Sequence, residues 1–255
     1  MEKVLGIAYV TVLESFRRKD PYVVLILGFA IVLGAGLFNQ FGIDGLEKFV
    51  KDVALTVTNL LAIVICVVAA ARQLPAEIAN RTLYPLLAKP VSRTTVFFGK
   101  YFGVGIMSTA VVLLFWAELQ VLFVVFGISS GMIFLQALYL RILSMWLIAA
   151  FVVTLSLFLT HGANVTVSLL ICLAMSTFAN TILAVHSELE GVSQRLAEAV
   201  YWVVPHLELF DLSKKVIHEW PSIPLGALAA LTGYAAVYAG IFIALGCWRF
   251  RRVSL

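Results

Sequence analysis

The sequence predicts an all-α protein threaded repeatedly through a membrane, and three observations carry that prediction. Hydrophobic residues make up 62% of the 255 residues and charged ones only 13%, against about half and about a quarter in an ordinary soluble domain. Mean hydropathy is +1.02. The apolar residues fall in six unbroken stretches, each near the roughly 20 residues that a helix rising about 1.5 Å per residue needs to cross a hydrocarbon core about 30 Å thick. Lysine and arginine, finally, are divided unevenly between the connections. A barrel is excluded because its strands would read as segments of about 10 residues with alternating polarity, whereas backbone groups in lipid are satisfied within a helix.

The chain reads as one transmembrane domain. Residues 1–20 precede the first span, 21–71 hold spans one and two, and 72–100 form an inner loop. Spans three to five fill 101–185, an outer connection covers 186–224, and the last span with a basic tail takes 225–255. The six stretches themselves are Pro21 to Phe38, Val53 to Ala71, Tyr101 to Gly127, Ala137 to Thr160, Val165 to Val185 and Leu225 to Trp248.

Met1 to Asp20 mixes Glu2, Glu14 and Arg17-Arg18-Lys19 into its apolar residues, unlike a secretory signal with its short apolar region and small-residue cleavage site. Leu5, Tyr9, Val12 and Phe16 follow one another at spacings of four, three and four, the stripe of a helix lying in the membrane interface. A helix simply entering the membrane is the other reading.

Orientation follows from counting basic residues in alternate loops. With the N-terminus inside, twelve lie inside: Lys3, Arg17, Arg18, Lys19, Arg72, Arg81, Lys89, Arg93, Lys100, Arg249, Arg251 and Arg252. Five lie outside, Lys48, Lys51, Arg195, Lys214 and Lys215, and Arg141 falls within a span. Both termini are therefore expected in the cytoplasm, consistent with an even number of spans. The net charge of +4 reflects this topology and gives no sign of nucleic-acid binding.

The inner loop carries the most specific pattern. Thr82 is a candidate N-cap and Pro85 falls in the first turn that follows, where its missing N–H has no helical partner to lose. A short helix from Leu83 to about Lys89 is expected, stopping before Pro90, after which Ser92 caps the helix that runs through Lys100 into span three. Leu83, Leu86 and Leu87 make one apolar face. That face suits either a soluble partner or the membrane surface.

In the outer connection, Val192, Leu196, Ala199, Val200 and Val203 recur at helical spacing until Pro205, and a second piece runs from Leu207 to Trp220 before Pro221. A pair of surface helices resting on the outer leaflet fits this pattern. So do helices that re-enter the bundle.

Two ionisable groups, Glu118 and Arg141, lie within spans, where insertion scales assign a cost of about 2.5–3.5 kcal/mol each and where such groups commonly mark function. The favoured reading is an ion pair between neighbouring helices, and the alternative a polar lining for a transport path. Cys66, Cys172 and Cys247 lie in spans with no CxxC spacing, and His161, His186, His206 and His218 form no HExxH pattern, so neither a metal site nor a disulfide framework is expected.

Glu77, Thr82-Leu83, Leu86-Leu87, Pro90-Val91-Ser92-Arg93 and Lys100 together resemble the loop between spans two and three of the ABC type-2 permeases. The run from Arg81 to Arg93 is most similar to the branch that includes the nitrous-oxide-reductase maturation permease, although many relatives have glycine where this chain has Arg81. The resemblance implies the architecture of a type V ABC exporter: six spans, an N-terminal interfacial helix, a cytoplasmic coupling helix within Glu77 to Arg93, and outer re-entrant helices in which Trp202, Pro205 and Phe210 cap the exit side. It implies docking on a separate ATP-binding subunit through Glu77, Arg81, Thr82, Leu83, Leu86, Leu87, Pro90, Ser92 and Arg93. A second permease copy, most simply a homodimer, and a place in the prokaryotic cytoplasmic (inner) membrane are implied with it. Members of that branch also work with extracytoplasmic accessory proteins.

This chain has no phosphate-binding loop of its own, since Gly99-Lys100 is followed by Tyr101 and Thr94 stands where the first glycine is needed. No cofactor is expected on it; ATP and magnesium belong to the partner. Two other classes stay open: a secondary carrier or channel, which normally needs ionisable groups or broken helices near the midplane, and an intramembrane enzyme, for which no catalytic set is visible. Glu77→Lys or Leu86→Asp is expected to uncouple transport from ATP hydrolysis with folding intact.

Overall fold

In a computed structural model, residues 2–38, 46–79, 92–129, 131–185 and 205–252 are described. They form eight α-helices: α1 (Glu2–Arg17), α2 (Asp20–Phe38), α3 (Leu46–Ala79), α4 (Arg93–Phe126), α5 (Met132–Leu155), α6 (His161–Val185), α7 (Ser213–Ile217) and α8 (Leu225–Arg252). A 3-10 turn at Leu207–Phe210 precedes α7. No strand occurs among the described residues. The chain is all-helical.

Four of these helices are long and apolar enough to cross a membrane: α3 over Glu47–Pro75, α4, α5 and α8. The remaining two predicted stretches are also helical, in α2 and α6, with shorter apolar pieces at Val24–Gly34 and His161–Met175. Both α3 and α4 have 34 residues, about 50 Å of helix, so each extends well past a 30 Å core. Lys51 near the start of α3 and Lys100 near the start of α4 are nonetheless buried.

The core lies between α3, α4 and α5, where Val67, Phe97, Val104, Leu140 and Ala150 are fully buried. α8 is peripheral: only 11% of its most apolar window is buried, compared with 56% in α3 and in α5. Polar side chains hold α8 to α5 all the same. Gln136 exchanges two hydrogen bonds with the backbone of Ile223, at 2.9 and 2.7 Å, and Thr154 donates to the Phe242 carbonyl at 2.8 Å. Where lipid is as apolar as the side chains, such interhelical bonds contribute specificity that apolar burial alone does not.

The turn between α4 and α5 depends on Gly127, whose φ of 67° is left-handed. Its N–H and that of Ile128 return to the Val124 and Phe123 carbonyls, closing the last turn of α4 in the manner that favours glycine. α4 therefore ends abruptly, and α5 starts back alongside it.

The predicted stripe on α1 divides. Ala8, Thr11 and Ser15 are buried against the first turns of α4, with Ile7, Val12 and Phe16 beside them, while Leu5, Tyr9, Val10 and Leu13 face outward. Close approach is possible because α4 presents Gly99 and Gly103, where an added Cβ would lie 2.6 Å from Ile7 and 2.5 Å from Thr11. One face of α1 thus belongs to the bundle, and the exposed apolar face is suited to the interface.

Candidate functional site

The inner loop is narrower than the sequence implies, since α3 continues through Pro75 to Ala79 and α4 starts at Arg93. Helical backbone needs no apolar side chains to satisfy its own hydrogen bonds, so hydropathy marks the hydrocarbon level and not the helix ends. Arg81, Thr82, Leu83, Leu86, Leu87 and Pro90, with the expected short helix, lie outside the described residues. The frame that holds them is described.

Two legs meet in that frame. Gln73 and Glu77 stand four residues apart on α3, hence on one face, and both reach Lys100 on α4. The Lys100 ammonium pairs with the Glu77 carboxylate and donates to Gln73 Oε1 at 3.3 Å. Gln73 in turn donates to the Ala69 carbonyl at 3.2 Å. Lys100 is 3% exposed and Glu77 23%, so this pair is largely removed from water and is held by more than charge. Sequence reading took Lys100 as a basic residue of the loop and as part of the family-like pattern, gave it no partner, and passed over Gln73. The four-residue step from Gln73 to Glu77 was the available signal.

Ser92 caps α4, its side chain accepting from the Thr95 N–H at 3.2 Å, as expected of a serine at that position. Next to it, Arg93 donates to the Phe250 and Arg251 carbonyls at 3.2 and 3.5 Å. A cation at the C-terminus of α8 complements the unpaired carbonyls and the helix dipole there. The inner ends of α3, α4 and α8 are therefore joined through the two residues at the root of the loop. A half-open cavity lies beside them, lined by Glu14, Arg18, Arg72 and Glu77 and by the apolar Val64 and Met107.

The expected pair within the spans does not form: Glu118 and Arg141 share no ion pair or hydrogen bond. Their depths match, because Glu118 precedes Gly127 by nine residues and Arg141 follows Met132 by nine, about 13 Å of rise on each side of the same turn. Their directions differ. Val112, Phe115, Trp116 and Leu119 make the α4 face that shares a cavity with Arg141, and at about 100° per residue Glu118 points about 110° from the middle of that face. Arg141 looks instead toward the outer segment, where the Asp211 carboxylate attracts it.

In the outer region, Trp202 lies outside the described residues. Pro205 and Phe210 are buried, with Leu207 and Leu212, and the segment reaches α3, where Asn59 donates to Ser213 Oγ at 2.9 Å. His206 is held by Tyr234 of α8, whose hydroxyl accepts from the His206 N–H at 2.9 Å. The segment thus packs into the helices and does not merely rest on a surface.

A second tie fastens the outer end. Lys51, 2% exposed, pairs with Glu47 and Glu219 at 2.8 Å each, and Ser129 donates to Glu219 at 2.6 Å. The Lys51 hydrogen bond, helped by Ser129, holds the Glu219 carboxyl below its ordinary 4.5. A depressed carboxyl stabilises the fold above its unfolded value and loses that contribution as pH falls through the folded value. Wild type should therefore melt above Glu219→Gln at pH 7, with the gap closing as pH falls below 4.5. A gap that stays constant down to pH 3 (on the order of one unit below the ordinary range) would show that the charge of Glu219 is not what fastens this end.

Among curated proteins none matches the chain. Residues 16–186 match the sequence model of a family described as ABC-2 family transporter protein. The match covers well over half of the 255 residues, taking in α2 to α6, both legs of the inner loop and Arg141, and the chain belongs to the ABC-2 transporter family.

Proposed function

We propose that this chain is the membrane permease subunit of an ABC exporter of the branch that includes the nitrous-oxide-reductase maturation permease. Six spans place both termini in the cytoplasm of a prokaryotic cell. Two copies form the pathway, and each receives a separate ATP-binding subunit on the segment from Glu77 to Arg93. ATP and magnesium bind in that partner, and the chain itself is not catalytic. Closure of the ATPase pair pushes the loop and reorients the spans, so that an apolar or amphipathic cargo leaves outward past the Pro205 and Phe210 segment.

One observation carries this reading. Lys100 is buried between Glu77 and Gln73 at the root of the loop, so force on the loop is delivered to α3 and α4 together and not dissipated in a slack connection. Arg93 extends the same rigid root to α8. A carrier or channel driven by an ion gradient has no need for a stiffened cytoplasmic loop.

Leu86→Asp tests the docking face without touching the buried root. In the purified permease–ATPase complex reconstituted into vesicles, transport is expected to fall by about tenfold or more, since a carboxylate on an apolar contact face forfeits more than about 1.4 kcal/mol. The variant should melt like wild type. Unchanged ATPase stimulation and unchanged transport would remove the loop from the coupling path, and transport without any ATPase subunit would favour the carrier.

A further inference from the structure

The cavity between α3, α4, α5 and the outer segment holds two donors that no described residue satisfies. It is a half-open space lined by Asn59, Trp116, Arg141, Asp211 and Ser213 among apolar side chains such as Phe115 and Phe210. Arg141 Nε and Trp116 Nε1 are both buried without a hydrogen-bond partner. The two residues come from different helices and line the same space.

The nearby polar groups spend part of their capacity on one another. Asp211 accepts from the Ser213 N–H at 2.9 Å and from its hydroxyl at 2.6 Å, and the hydroxyl also accepts from Asn59. Asp211 attracts Arg141 through space but makes no ion pair with it. A guanidinium at this depth normally finds a carboxylate or carbonyls, and a buried donor left unmade is among the costlier defects of a fold. Two such donors at one cavity are the imprint of an acceptor-rich group.

From this arrangement we infer that the cavity binds an amphiphile with an oxyanion head group, a carboxylate or phosphate ester, seated on Arg141 and Trp116 with its apolar body along Leu55, Phe115 and Leu138. Guanidinium matches a planar or tetrahedral oxyanion with charge-assisted hydrogen bonds, and the indole N–H supplies a further donor. The apolar majority of the lining excludes a small hydrated anion as the natural occupant. The proposal does not depend on an ATPase or on the direction of transport.

Calorimetric titration of the full-length protein in a non-ionic detergent with octanoate tests it directly. Octanoate should bind saturably at one site per chain, and Arg141→Gln should weaken it about tenfold or more, the worth of a charged hydrogen bond, with Arg141→Lys recovering part of the loss. Trp116→Phe keeps the ring that stacks on Phe134 at 6.0 Å and removes only the N–H, so it should weaken octanoate about fivefold without lowering the melting temperature. Acetate, octanol and octyltrimethylammonium should each bind far more weakly. Equal binding by octanol or octyltrimethylammonium would overturn the oxyanion, equal binding by acetate the apolar body, and undiminished octanoate affinity in both variants the whole site. If Arg141→Gln does not fold, unchanged affinity in Trp116→Phe alone overturns it.

Discussion

Glu77→Ala is expected to destabilise the protein by about 3 kcal/mol, because it leaves the Lys100 ammonium buried without its carboxylate. Lys100 is 3% exposed and, among the described residues, retains only Gln73 as a polar partner, and an unpaired buried charge costs far more than a surface ion pair contributes. The figure sits at the lower end of the range because Glu77 is 23% exposed and some water reaches the gap. Replacing both residues, Glu77→Leu with Lys100→Met, should restore most of the loss, since apolar groups of similar volume often substitute for a buried pair. Melting curves of the four proteins in detergent complete the cycle. If the double variant is no more stable than Glu77→Ala, packing and not charge sets the requirement. The same geometry changes what Glu77→Lys reports: two ammonium groups would face each other, so its damage falls on folding before coupling, and Leu86→Asp is the cleaner test of docking.

Gly103→Val should be nearly as damaging, by about 3 kcal/mol, at the upper end of what overpacking costs. A Cβ there would lie 2.5 Å from Thr11 Cβ and 3.0 Å from the Ala8 carbonyl, so backbone must move and no side-chain rotation relieves the clash. Thr11 is fully buried, and α1 would be forced off α4. Trypsin cleavage at Arg17 to Lys19, with the melting temperature, reads this displacement. Gly6→Ala supplies the contrast, because nothing stands within 4 Å of an added Cβ there and alanine in a helix interior is favoured by about 0.5–1 kcal/mol. Equal effects of the two substitutions would mean that α1 is not packed on Gly103.

What could be read from sequence divides along a physical line. Helices over the six apolar stretches were legible, four of them long and apolar enough to cross a membrane, because hydrocarbon thickness leaves a direct record in composition. Their ends were not: hydropathy stops at Ala71 while α3 continues to Ala79, carried by backbone bonds indifferent to side-chain polarity. The Ser92 cap was legible because it is local. Arg93 on Phe250 was not, since 157 residues separate them and no pattern along the chain encodes which helix ends meet. Glu118 and Arg141 fall between these cases. Counting from Ala137 put Arg141 only a few residues into its span, whereas α5 starts at Met132 and sets it level with Glu118, and their directions depend on how α4 and α5 are rotated about their axes, which packing decides. In the outer segment the same limit applied: amphipathic spacing fits a helix on a surface as well as one in a bundle, and only the contacts of Phe210 and Ser213 separate the two.

The grip of Arg93 on the final carbonyls of α8 hitches the tail of the chain to the first turn after the loop. In the proposed coupling, any rigid cargo grafted onto that tail for purification or imaging would be yoked to the moving part, loading it like a weight on an oar. A long slack tether beyond Leu255, rather than a fused domain set close, leaves the stroke unburdened.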